Sequence, residues 1–331
     1  MNDKDQSPKK SSESTESSEL QAEENLPTNQ STEVSEFADK KKLGIGFWIA
    51  TFWLIILTLV SVLAPILPLK EPNENFVQFE QKENPITGKL QDRPIQPPYA
   101  PSSDHWLGTD QDARDLLSRS INGARISLAV GALTAVFGIF VGGTLGMLAG
   151  YFKGILEKII SAFFLLSLSF PGLILAILIV ALLDRSLLTI SVTLGILGVA
   201  PIGRLARAQT LSFAEREFVL AAETLGAKKS RIIVKELLPN VLIPMSTLAM
   251  LVIAVAIVGE GTLAFLGLSV QGSATWGKLI LTGSGLQVLE SSPWVAFVPM
   301  GFLFLTVASF NYMSDRLRDY FDVRELFVTR D

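Results

Sequence analysis

No cysteine occurs in the 331 residues, and there is a single histidine, His105. The first absence excludes disulfides, thiol nucleophiles and cysteine-ligated metals. The second argues against a histidine-built metal site and against a Ser-His triad. Charge is scarce as well: 18% of residues are charged while 49% are hydrophobic, and the mean hydropathy is +0.40. That balance belongs to a polytopic membrane protein rather than to a soluble domain. The formal net charge of -4 says little, because the charges are unevenly spread. No basic face is concentrated enough to suggest nucleic-acid binding. A G-x-x-x-x-G-K-[ST] phosphate loop is also missing, since Lys229-Ser230 follows Gly226 at the wrong spacing, so the chain has no Walker loop for ATP.

What is present is a series of apolar runs. Residues 1–39 are Ser, Glu, Asn, Gln, Thr and Lys with few apolar side chains. Such a segment cannot offset its ordering entropy and reads as a disordered tail, more simply inert than regulatory. It lacks the apolar core and cleavage site of a signal peptide. A membrane-spanning helix needs about 20 mostly apolar residues. The runs that qualify are Leu43–Leu69, Ile126–Tyr151, Ile159–Leu183 (bent or broken near Pro171 and Gly172), Ser186–Leu205, Val241–Leu268 and Trp294–Met313. The expected fold is therefore all-α, with six transmembrane helices. The expected organisation is a tail at 1–39, a first helix at 43–69 and an outer loop at 70–120. A core of five helices follows at 121–315, with a charged tail at 316–331. Basic residues near the helix ends set orientation. One side collects Lys40 to Lys42, Lys153, Lys158, Arg204, Arg207, Arg216, Lys228, Lys229, Arg231, Lys235, Arg316 and Arg318; the short loops of the other offer Arg185 and Lys278. Both termini are thus expected in the cytoplasm.

Between the fourth and fifth runs lies EREFVLAAETLGAKKSRIIVKELLPN, Glu215 to Asn240. Phe218, Ala221, Ala222 and Leu225 recur at i, i+3, i+4 and i+7, one face of a helix. The alanines make that face shallow, so another surface can approach it. Gly226 permits a turn or a close backbone contact. A second helical run, KKSRIIVKELL, leads to Pro239, whose missing N–H is least costly at a helix start. The period alone leaves two readings open. One is an amphipathic loop lying on lipid headgroups. The other is a short helix offered to a cytoplasmic partner.

This segment resembles the EAA loop of bacterial ABC-importer permeases, with Ala221, Ala222, Gly226, Leu238 and Pro239 at the motif's spacing. Leu220 stands where the motif has its glutamate. HWLGTDQDARDLLSRSINGARISLAVG (His105 to Gly131) is similar to the family's H-P-L-G-T-D…G-R-D…S-R…G-A-R-x-S-L segment, with Trp106 for the usual proline and Ala113 for the usual glycine. LAGYFKG, FPGLILAILIVALL, AFLGLSVQ, TWGKLI and FNYMSDRLRDYFD follow in the family's order. Together they resemble the C-type permease subunit of the dipeptide, oligopeptide and nickel importers, over about Phe47 to Asp322.

The resemblance implies a type I importer permease without chemistry of its own, embedded in the bacterial inner membrane. It pairs with a second, homologous permease. Two cytoplasmic ATPases bind the ATP and magnesium, so no cofactor is expected in this chain. A substrate-binding protein outside the membrane delivers the cargo. Phe218, Ala221, Ala222, Leu225, Gly226, Leu238 and Pro239 are then the expected ATPase-coupling residues, within a coupling loop at 207–239. Di- or oligopeptides are the default cargo; nickel complexes and other small solutes stay open. The residues also leave two alternatives open. An ion-driven secondary transporter should show repeated halves and more buried ionisable groups. A non-transporting scaffold would use the loop only to recruit a soluble partner.

Single residues carry less. Glu260, inside the fifth run, is costly at membrane depth. It reads either as a pathway or gate residue or as a structural hydrogen bond at the permease–permease interface. Asp184-Arg185 reads as a solvated outer turn, and His105 as structural. Gly138, Gly142, Gly146 and Gly150 form a small-xxx-small face that packs on a neighbouring helix, within the chain or in the partner permease.

Overall fold

The computed structural model describes residues 43–83 and 90–328; the expected tail at 1–39 lies outside them. One compact unit spans Ile45–Arg318. It holds the features discussed below, except that the first helix begins at Gly44 and the last runs past Arg318.

Helix α1, Gly44–Leu63, is shorter than the apolar run that contains it. Pro65 and Pro68 explain the difference, because the residue before a proline is pushed out of the helical region. A two-stranded antiparallel sheet follows, β1 (Phe79–Glu83) pairing with β2 (Leu90–Pro94) in the register Phe79↔Pro94. The loop expected at 70–120 thus contains regular structure, and its last residues already belong to a helix.

Helix α2 runs Leu116–Phe152, with a π-helical turn at Ile139–Gly143. It begins ten residues before the apolar stretch because Asp115 caps it, the carboxylate accepting from Ser118 N at 2.9 Å. Helices α3 (Gly154–Ser169) and α4 (Gly172–Leu182) meet at 85° across Phe170-Pro171. The expected third span is therefore a broken pair, as its proline requires. Helix α5, Leu187–Ala214, continues well past the membrane-like part of its sequence. After the short helix α6 (Glu217–Thr224) comes α7, Lys229–Phe265, with a second π-helical turn at Ile232–Leu237 just before Pro239. Two short helices follow, α8 (Trp276–Gly283) and α9 (Leu286–Ser291). The last, α10, runs Trp294–Val328, so the segment expected as a tail from 316 is helical to 328. Among the described residues, five helices are long and apolar enough to cross a membrane, or six if the bent α3–α4 pair is one span.

Close packing of α2 on α5 organises the core. A Cβ on Gly142 would lie 2.6 Å from Val199 O, one on Gly150 would lie 2.8 Å from Arg207 O, and one on Gly146 would run into Gly203 O. The glycine stripe is thus an intrachain seam: only the absence of side chains lets the two backbones approach. Thr134 Oγ1 donates across the same seam to Ser191 O at 3.1 Å.

Candidate functional site

The segment between α5 and α7 sits where α2, α5 and α7 come together. Its fold follows from a few residues. Gly226 adopts φ +77°, the left-handed region that glycine enters without penalty. Ala227 N donates to Ala222 O at 3.0 Å and Gly226 N donates to Glu223 O at 2.9 Å. This pair of bonds is a Schellman motif, which satisfies the last carbonyls of α6 and reverses the chain. No atom lies within 4 Å of where a Gly226 Cβ would be, so the glycine serves the turn rather than a close contact.

Val219 is the residue that fastens α6 to the bundle. It is 0% exposed and belongs to an apolar cluster with Met147, Ile202, Phe213, Ile232, Leu237 and Val241. Ala222 and Leu238 pack against the same cluster, half-buried. The rest of α6 faces away. Leu225 is 87% exposed and Leu220 51%, and Phe218, Ala221 and Gly226 are exposed beside them. Of the predicted coupling residues, the fold therefore gathers Phe218, Ala221, Leu225 and Gly226 on one outer surface. It assigns Ala222 and Leu238 to the inner packing and leaves Pro239 exposed in the first turns of α7.

Polar contacts around the segment are peripheral. Tyr151 Oη donates to Glu223 Oε1 at 3.2 Å, and Lys153 Nζ donates to Glu215 Oε1 at 3.3 Å. The Lys229 ammonium lies 5.8 Å from the Phe152 ring centroid. Sequence periodicity missed Val219. In Phe218-Val219-Leu220 three apolar residues stand in a row, and nothing in the pattern says which one turns inward. Its spacing to Ala222 (i, i+3) was the available signal.

At the other end of the helices Glu260 is 0% exposed, inside this chain. Its Oε1 accepts from Ser269 Oγ at 2.9 Å, and Ser269 Oγ lies 3.1 Å from Thr275 Oγ1. The carboxylate thus ties the end of α7 to the cap of α8. Trp276, also fully buried, donates from Nε1 to Ser120 O at 3.0 Å. His105 is buried with Nδ1 2.9 Å from Asp115 Oδ1, and Arg119 pairs with Asp110 at 3.2 Å. Arg185 is more than a solvated turn residue, since its guanidinium donates to Gly267 O.

Helix α6 is thus a short helix with exposed apolar side chains at one end of a bundle of membrane-length helices. Residues 142–325 match the family model described as "Binding-protein-dependent transport system inner membrane component", and the chain belongs to that family. It is 36% identical to the dipeptide transport system permease protein DppC of Alkalihalophilus pseudofirmus, over 89% of this chain and 92% of that one. To the oligopeptide transport system permease protein OppC of Bacillus subtilis it is 34% identical, over 83% and 85%. Among solved structures it is similar to an inward-facing MetNI methionine ABC transporter, with TM-score 0.48 and 20% identity over 64% of this chain and 96% of that one. The chain is a membrane-embedded permease subunit of an ABC importer, a transport component and not an enzyme.

Proposed function

We propose that this permease imports di- or oligopeptides, and that α6 with its Gly226 turn is the contact through which ATPase subunits drive it. The relatives' names support the cargo. The exposed apolar surface of Phe218, Leu220, Ala221 and Leu225, held on a buried Val219 anchor, supports the contact. That surface is the single observation that carries the reading: apolar side chains raised on a charged segment suit a groove on a soluble partner. Leu220, in place of the motif's glutamate, makes the contact more apolar.

The full reading places both termini and the 207–239 loop in the cytoplasm, in a bacterial inner membrane. Positive charge at that end of the helices supports this orientation. A second permease completes the pathway, two ATPases bind ATP and magnesium, and an extracytoplasmic binding protein delivers the peptide. No cofactor is assigned to this chain. Coupling is then alternating access, a two-state membrane unit biased by the nucleotide state of its partners.

The test is uptake of a labelled di- or oligopeptide by the complete importer in proteoliposomes. Ala221→Asp with Leu225→Asp changes only exposed positions. Uptake should fall at least tenfold while the protein stays in the membrane and the ATPases still hydrolyse ATP. Unaltered uptake overturns the contact. Uptake of a different solute, with peptides refused, overturns the cargo alone.

A further inference from the structure

A second feature lies on the opposite flank of α5. Ser161, Phe164 and Leu165 of α3 and Arg204 and Arg207 of α5 line a cavity of about 240 Å³. That is room for about eight waters at ~30 Å³ each. Its floor is apolar: the buried Phe164 ring covers Gly203. Leu165, which also lines it, is 68% exposed and gives the cavity an apolar edge on α3. The polar groups are few and distinctive. Arg207 donates to the Glu157 carboxylate, from Nε at 3.1 Å. Arg204 is exposed, with no carboxylate paired to it among the described residues. The Ser161 hydroxyl is buried without a hydrogen-bond partner.

We propose that this cavity binds the phosphodiester headgroup of an anionic phospholipid. Glu157 neutralises one arginine, so the lining carries one net positive charge, matched to one phosphodiester anion. Arg204 and the outer edge of Arg207 face the phosphate, and Ser161 Oγ donates to it, which removes the one unmet buried donor of the site. The acyl chain leaves over Leu165, the exposed apolar side chain of the lining. Basic pockets between membrane helices are where such headgroups bind. A free inorganic phosphate would use the arginines but leave the apolar walls uncovered. The bound lipid would tie α3 to α5 beside Arg207, whose backbone is the seat of Gly150. It would thus steady the helix that leads into the α6 segment. The inference goes beyond peptide import and rests only on the chain spanning a membrane.

The test uses the complete importer in nanodiscs of phosphatidylglycerol and phosphatidylcholine, with retained lipids counted by native mass spectrometry after partial delipidation. The wild type should retain phosphatidylglycerol selectively. Arg204→Gln should lower that retention about tenfold, the weight of one direct charge-assisted hydrogen bond to the phosphate. Arg204→Lys should keep most of it. Lys158→Gln removes the same charge from α3 outside the cavity and should change nothing. Equal retention by wild type and Arg204→Gln overturns the proposal. So does an equal loss with Lys158→Gln, which would mean diffuse surface charge. Displacement of the lipid by millimolar inorganic phosphate would mark a free-anion site and overturn it too.

Discussion

The two ends of the helix bundle are fastened by different chemistry. At the end carrying α8, the ties are buried and polar: Glu260 to Ser269, Ser269 beside Thr275, His105 beside Asp115, Trp276 to Ser120 O. Each of these groups costs free energy if its partner is lost in a dry environment, so the ties fix one arrangement. At the end carrying α6, that helix is held by the buried Val219, the half-buried Ala222 and two exposed polar bonds. Few buried contacts and solvent-exposed bonds mark a region that opens at low cost. The first end is a frame; in the proposed coupling the second would be the lever that follows a partner.

The largest expected effect breaks the frame. Trp276→Ala removes a fully buried indole and its bond to Ser120 O, at about 3–5 kcal/mol. The thermal unfolding midpoint of the solubilised protein should drop accordingly. Val219→Ala, at the lever, removes two methyl-sized groups and should cost about 1–2 kcal/mol. Its effect should be local: faster amide exchange at 215–231 with a midpoint close to wild type. If both variants lower the midpoint alike, the two ends are not differently fastened.

Glu260 sharpens the same contrast. Glu260→Gln keeps an oxygen that can accept from Ser269, so the midpoint and uptake should stay near wild type. Glu260→Leu removes the acceptor at the end of the Thr275–Ser269 pair, leaving one of the two buried hydroxyls without an acceptor, and should cost about 1–3 kcal/mol, read as a lower midpoint. Loss of uptake in Glu260→Gln at full assembly would instead make this carboxylate part of the pathway.

Much of this architecture was legible in the sequence because lipid imposes length. The apolar runs locate the helices, and Pro171 locates the break between α3 and α4. The glycine spacing of α2 announces close packing, and its partner proved to be α5 of the same chain. Helix ends were less legible. α2 starts at Leu116 because of the Asp115 cap, and α5 runs on to Ala214 through polar residues that hydropathy discounts. At the α6 segment the period picked out Phe218, Ala221, Ala222 and Leu225 as a face but could not say which of them point in or out, and Ala222 packs inward. That depended on Val219 meeting Ile232 and Leu237, side chains brought near only by the Gly226 turn. The ties of Glu260 were illegible for the same reason: Ser269 reaches it through the turn at Gly267, which has φ +74°.

Gly226 offers a finer probe of the lever. Gly226→Ala meets no neighbour, since nothing lies within 4 Å of its Cβ position. The cost is then only that of a left-handed L-residue, about 1–2 kcal/mol. Amide exchange at 222–228 should rise, and coupling of ATP hydrolysis to uptake should weaken by a few-fold. An unchanged exchange pattern would mean that the turn is held by something other than the Schellman bonds.

The smallest effect is expected at Lys153. Its ammonium lies 3.3 Å from Glu215, and the two side chains are 53% and 73% exposed. A pair so open to water gains little, about 0.2–1 kcal/mol, and salt screens it further. Lys153→Gln should therefore leave exchange at 215–231 and peptide uptake within twofold of wild type, at low and at high ionic strength. If this variant, or salt alone, frees the segment as Val219→Ala does, the lever is held by surface charge. Its attachment would then respond to the ionic conditions and to the charge of the docking partner, whereas a buried valine responds to neither.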